Sequence, residues 1–368
     1  MPDNKKHHYV SQFYLRNFGI GRSISLFNIP SRRHVPTAPI PGQCQRAYLY
    51  GSDNKKEGEL AELEGRACGV IRSILASRTP PEPGGDAHRA LAEYISVQLG
   101  RTPDAAASLQ LTREKIFRAL AKDFATRNAF PESAAAGIKA PTGTDPVAAS
   151  LSISENQGAL LLDLDMRLLL ASGRAFVTSD LPVVLYNQWS RHYKASGVRG
   201  LTCSGLIVLL PLSPEVCLLM FDSDVYAASK KATCITIDEP DAITVNAAQL
   251  LGVENNLYYR ADSATRSQID GMPMHWSRRR SERNRLRRAR SDETNSTLLY
   301  VYEDQPDVSL KFRFLRQLGR AKQLTTSERG RSWRPAAVAE AEKLELSSND
   351  DRPRPIKPGT TWRVVERE

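Results

Sequence analysis

Apolar positions recur at helical spacing through the first half of the chain. Leu60, Leu63, Ala67, Ile71, Ile74 and Leu75 form a stripe over residues 57–76, and Ala87, Leu91, Tyr94 and Ile95 form another over 86–101. Both segments are predicted as amphipathic helices. Pro80, Pro81, Pro83 and Gly84-Gly85 separate them. Arg101-Thr102-Pro103 stops the second, because a residue before proline resists helical angles. Residues 104–126 and 149–172 read as further helices, divided by the stretch 137–143. Residues 9–18 predict a short helix with Val10, Phe13, Tyr14 and Phe18 on one side; Gln12 and Arg16, four apart, share another face.

Alternation of apolar and polar residues predicts a strand at 24–29, with 47–50 as its partner and a loop through Pro36, Pro39, Pro41 and Gly42 between them. Past residue 173 the pattern changes to short apolar runs of strand length: 175–178, 182–186, 206–210 and 216–221, the last two joined by a turn at 211–214. Residues 240–252 return to helix, and 257–259 read as a closing strand. Helices first and strands later predict an α+β fold, a helical N-terminal half packed on a mostly antiparallel sheet. One domain is expected over 1–275. Residues 276–368 read as a basic extension, with 298–302 and 308–312 pairing as a hairpin and disorder around 347–360.

Composition narrows the class. The chain has 368 residues, 41% hydrophobic and 25% charged, enough to bury a core without staples. No run approaches the roughly 20 apolar residues that span a bilayer, and the N-terminus carries no apolar signal segment, so a cytoplasmic protein is expected. The five cysteines form no C-x-x-C pair, which argues against a zinc knuckle or disulfide frame. Cys68 and Cys217 read as buried small hydrophobes. Absence of G-x-S-x-G, Walker A, G-x-G-x-x-G and H-E-x-x-H patterns disfavours serine hydrolases, P-loop NTPases, dinucleotide dehydrogenases and zincins.

The net charge of +10 is partly local. Arg278, Arg279, Arg280, Arg283, Arg285, Arg287, Arg288 and Arg290 fall in thirteen residues with one acid, Glu282. Such density favours a polyanion, DNA or RNA ahead of membrane because few apolar residues interleave. The competing reading is a solvated linker.

Some polar residues fall where the helix wheel places apolar ones. Glu64 lies between Ile71 and Leu75, with Glu57, Glu59 and Glu62 read as less central; Gln98 lies between Leu91 and Tyr94, with Arg101 one turn on. Asn246 sits at the edge of the Ile243, Ala247, Leu250 stripe. An unpaired buried carboxylate costs several kcal/mol, so Glu64 requires a cation, a metal or a raised pKa. Asp180 ends an apolar run, where a strand can aim it, or a turn can use it as a cap. His7 and His8 are adjacent, so in extended chain they point opposite ways; His8 is preferred for a site. A structural alternative pairs Arg16 with Glu64.

Several blocks resemble, in order, those of the DUF4238 family: His7-His8-Tyr9-Val10-Ser11-Gln12-Phe13-Tyr14-Leu15-Arg16-Asn17-Phe18, the acidic helix from Glu57 to Glu64, Gln98-Leu99-Gly100-Arg101-Thr102-Pro103, Phe176-Val177-Thr178-Ser179-Asp180-Leu181-Pro182-Val183, and Leu210-Pro211-Leu212-Ser213-Pro214-Glu215 followed by Val245-Asn246. The resemblance covers roughly residues 5–260. Ser11 stands where the family usually has proline and Leu181 where it usually has asparagine. The family carries no established reaction, so the likeness implies no substrate.

From the residues, His7, His8, Glu64 and Asp180 are expected to hold Mg²⁺ or Mn²⁺. His8, Glu64, Asp180, Gln98 and Arg101 are the expected catalytic set; Gln12, Arg16 and Asn246 are expected to bind substrate. Together with Arg278, Arg279, Arg280, Arg283, Arg287 and Arg288 as a nucleic-acid contact, they predict metal-dependent phosphodiester hydrolysis of nucleic acid. The alternatives are a non-enzymatic nucleic-acid-binding module with a structural polar core, whose extension can be deleted without unfolding the rest, and a component of a bacterial defence system.

Overall fold

The computed structural model describes residues 6–52, 55–131, 145–192, 199–228, 232–277, 284–291, 296–303, 308–324, 332–347 and 363–367. In chain order, β1 (Lys6–His8) and α1 (Gln12–Arg16) precede β2 (Ser23–Asn28), β3 (Arg33–Pro39) and β4 (Gln45–Ala47). Helices α2 (Lys55–Ser77), α3 (Asp86–Gly100), α4 (Pro103–Arg127) and α5 (Pro146–Glu155) follow. Next come β5 (Asp165–Ala171), β6 (Thr178–Ser179), β7 (Val184–Tyr186), β8 (Ile207–Ser213), β9 (Val216–Phe221), β10 (Tyr226–Ala228) and β11 (Cys234–Ile237). The remainder holds α6 (Glu239–Ala248), β12 (Asn256–Tyr259), α7 (Ser263–Asp270), β13 (Asn284–Ser291), β14 (Ser296–Glu303), β15 (Leu315–Gln317), α8 (Pro335–Ser347) and β16 (Arg363–Arg367).

The fold is α+β. Its central sheet has the order β11-β5-β9-β8-β7, antiparallel except where β11 meets β5. Every residue of β8 and β9 is buried. Strand side chains alternate between faces, so an unbroken apolar run fits a strand covered on both. Val208, Leu210, Leu212, Leu218 and Met220 join the core formed with α2, α3 and the N-terminal segment. Ile207, Leu209, Cys217, Leu219 and Phe221 join a second core with α6 and with Val308, Leu310, Phe312 and Phe314.

Three expectations are corrected. Residues 165–171 are not the end of a helix but the strand β5, hydrogen-bonded between β9 and β11; periodicity alone cannot separate a short buried helix from a buried strand. The partner of β2 is not 47–50 but β3, with β12 on its other side in a sheet ordered β3-β2-β12-β6. Pro36 and Pro39 fit there because β3 is an edge strand, where a missing N–H breaks no ladder. His34 staples that edge, its ring 2.7 Å from the Tyr259 hydroxyl and 2.8 Å from Asp270. Finally, 296–303 pairs with β13 rather than with 308–312, which instead runs into the second core. The disorder expected around 347–360 falls, except for Ser347 in α8, outside the described residues.

Candidate functional site

The N-terminal block is the hub of the polar structure. Short α1 buries Tyr14 and Leu15. The Tyr14 hydroxyl donates to the Pro211 carbonyl and lies 2.7 Å from Thr178 Oγ1. Asn17 donates to the Leu212 carbonyl at 3.0 Å. Gln98 Nε2 donates to the Tyr9 carbonyl at 2.6 Å. This segment therefore ties together three of the other blocks that carry the family resemblance, through Gln98, Thr178 and Pro211-Leu212.

Arg101 closes the arrangement. Its side chain is 1% exposed, Nη1 donates to Glu64 Oε1 at 2.7 Å, Nε to the Tyr50 hydroxyl at 3.1 Å, and Nη2 to the His8 carbonyl. Burial works against its charge, but Tyr50 and Glu64 hold its pKa above the ordinary value. Its neighbour Thr102 has extended angles (φ −87°, ψ 151°) and caps α4, its hydroxyl accepting from Ala105 N–H, with Pro103 in the first turn. Glu64 thus has its cation, and that cation is Arg101, not Arg16.

Beside this clasp a cavity of about 310 Å³ is lined by His8, Gln12, Phe13, Arg16, Glu57 and Glu64. Strand β1 supplies the histidine. Its alternation buries His7, whose Nδ1 accepts from Tyr50 N–H at 3.1 Å, and leaves His8 partly exposed. The His8 ring bonds the Pro41 carbonyl through Nε2 at 3.3 Å, so Nδ1 is the basic nitrogen of the neutral ring. Burial holds the His8 pKa below 6.5, against the raising effects of Pro41 and Glu64; Arg101 and Lys6 lower it further. Arg16 is exposed at the rim, where it donates to Gln12 Oε1 at 3.1 Å.

Glu57 is the residue that the sequence reading passed over. It stands seven positions before Glu64, two turns away and only about 20° off on the wheel, which puts both on one face of α2. That spacing was the available signal. Glu57 Oε2 is buried and has no hydrogen-bond partner among the described residues. Burial raises its pKa; His7 and Arg101 pull it down, and Glu64 pushes it up.

Other expected site residues lie elsewhere or have structural employment. Asp180 is 1% exposed and accepts from the backbone N–H groups of Glu254, Asn255 and Asn256 at 2.9, 2.7 and 3.1 Å. It clamps the turn before β12, in surroundings shared with Tyr9, Cys44 and Tyr258. Burial pushes its carboxyl up to about 7, although the three amides favour the anion. Asn246 is fully buried and bonds Val177 N–H, the Ala175 carbonyl and Gln268; the stripe expected around it is displaced, since Ile243 is 38% exposed. Gln98, 1% exposed, faces the interior rather than the cavity lining.

The grouping of His7, His8, Glu64 and Asp180 does not form: among the described residues no three His, Cys, Asp or Glu side chains gather in metal-binding geometry. Arg287 and Arg288 stand on β13, paired with Tyr300 and Leu299 of β14, so this part of the basic run is sheet rather than linker. Arg278, Arg279, Arg280 and Arg283 lie outside the described residues. No described helix is long and apolar enough to cross a membrane.

Comparison with curated proteins and with solved structures finds no match. A family model does match, over residues 6–263, a span that includes β1, the cavity-lining helices and the Asp180 clamp. The chain belongs to the DUF4238 family, described as proteins of unknown function.

Proposed function

We propose that the His8–Glu57 cavity cleaves phosphodiester bonds in RNA by general acid–base catalysis. The observation that carries this reading is the unpartnered, buried carboxyl oxygen of Glu57 in the same cavity as a partly buried imidazole. Burial drives the two groups in complementary senses. The lowered His8 pKa suits it to the role of base, and the raised Glu57 pKa suits it to the role of acid. In the reaction, His8 Nδ1 takes the proton of a ribose 2′-hydroxyl as its oxygen bonds to phosphorus. The bond from phosphorus to the 5′-oxygen breaks, and that oxygen receives the Glu57 proton. Arg16 offsets the charge on the phosphoryl oxygens, and Glu64, held by Arg101, fixes the wall. Mg²⁺ and Mn²⁺ enter this reading only as additions to be tested.

The test is incubation of the full-length chain with end-labelled RNA and DNA, in EDTA and in Mn²⁺. RNA cut in EDTA to 2′,3′-cyclic phosphate ends, with DNA intact, is the expected result. Cleavage that needs Mn²⁺ and includes DNA would restore the metal-dependent nuclease in its place. His8→Ala and Glu57→Gln should each lower kcat/KM by about 100-fold or more.

A second reading rests on Arg101. A guanidinium that bonds Glu64, Tyr50 and the His8 carbonyl behind the cavity wall is what a purely structural network also requires. Under it the protein is a non-enzymatic module, and no nucleic acid is cut under any condition.

A further inference from the structure

Phe13 and Arg16 line two cavities at once. One is the His8–Glu57 cavity; the other, about 90 Å³, is shared with Asn17, Cys68, Ile71 and Arg72. The two depressions meet at the partly buried Phe13 ring of α1, with the exposed Arg16 at the edge of both and the exposed Arg72 of α2 at the edge of the smaller one. Neither Arg16 nor Arg72 is paired with a carboxylate among the described residues; Glu64 is taken by Arg101 and Glu93 by Arg66. A ring with two guanidiniums beside it is suited to a polymer that alternates flat bases with phosphates. A lone phosphate or an acidic peptide has no use for the ring. Only an unpaired base has a free face to stack.

We infer that the RNA taken by this site is single-stranded, with an unpaired base against Phe13 and its neighbouring phosphates at Arg16 and Arg72. This rests on the reading of the cavity as a phosphodiester-cleaving site and extends it to a strand-binding trough. Binding should be steeply salt-dependent and tolerant of sequence, because charge and stacking supply it rather than base-edge contacts.

The experiment measures anisotropy of a labelled 12-nucleotide RNA, single-stranded and as a duplex, with the full-length Glu57→Gln chain in EDTA so that turnover does not intervene. Phe13→Leu keeps the apolar packing against Tyr94 and removes the ring; Arg72→Gln removes the far cation. The expected result is single strand bound in preference to duplex, weakened about tenfold by either substitution. Arg316→Gln, on β15 beyond the opposite face of the central sheet, should leave binding unchanged. Duplex bound as tightly as single strand, or affinity untouched by both Phe13→Leu and Arg72→Gln, overturns the inference. Chemistry and strand binding fail separately. A chain that binds through Phe13 and Arg72 but cuts nothing contradicts only the cleavage reading; one that cuts RNA with both variants binding normally contradicts only the trough.

Discussion

Arg101 shows how one side chain can be held in a core. Its guanidinium has an acceptor for each of its three nitrogens, and every acceptor belongs to a different element: Glu64 on α2, Tyr50 after β4, and the His8 carbonyl on β1. Replacing it with alanine strands a carboxylate and a carbonyl beside a void, so Arg101→Ala should lose about 3–5 kcal/mol in urea unfolding. A loss below 1 kcal/mol would mean that the clasp is not structural. Asp180→Ala leaves three backbone N–H groups without an acceptor and should lose at least about 3 kcal/mol, with no change in RNA cleavage by the fraction that remains folded. The wheel singles out Glu64, Gln98 and Arg101 because polar residues on an apolar stripe require partners, and each has one. It cannot say whether the partner is a ligand or the protein's own backbone. Asp180 and Asn246 are of the second kind, and their acceptors and donors come from segments far away in sequence.

Among the elements, the central strands carry the sharpest lesson. Continuous apolar runs at 206–210 and 216–221 identify β8 and β9, but not what covers their second face. That cover includes Val308, Leu310, Phe312 and Phe314, all buried, with the Phe312 and Tyr186 rings edge to face at 5.7 Å. The alternation of Val308, Leu310, Phe312 and Phe314 predicts one buried face but not what receives it, because that is a sheet assembled from residues about a hundred positions earlier. With these side chains in the core, deletion of 276–368 is expected to unfold the rest rather than leave it folded. A chain ending at Trp276 loses side chains worth roughly 1.5–3 kcal/mol each, against a net stability of about 5–15 kcal/mol for a typical domain. It should lose near-UV circular dichroism and aggregate on gel filtration. Phe312→Ala alone should cost about 3–5 kcal/mol.

For the whole molecule, the two faces of one sheet divide the labour. Helices α2 and α3 and the N-terminal block cover one face, where α2 and that block frame the His8–Glu57 cavity; α6 and the 308–324 segment close the other. The α+β class follows from the order of periodicities along the chain. The cavity does not, since β1 is bound to α2 by Arg101, a residue outside both. In the proposed reaction the base must be neutral, so activity rises with pH through a His8 pKa held below 6.5. The acid must be protonated, so activity falls as pH rises through a Glu57 pKa held above 4.5. The profile should be a bell, its rising limb set by His8 and its falling limb by Glu57.

That profile, recorded in EDTA as kcat/KM for cleavage of single-stranded RNA by the wild-type, His8→Ala and Glu57→Gln chains, tests the proposed chemistry most directly. The account predicts a bell for the wild type, loss of the rising limb in His8→Ala and loss of the falling limb in Glu57→Gln, each on a much reduced rate. No cleavage at any pH, or variant profiles that match the wild type in shape and height, would contradict it.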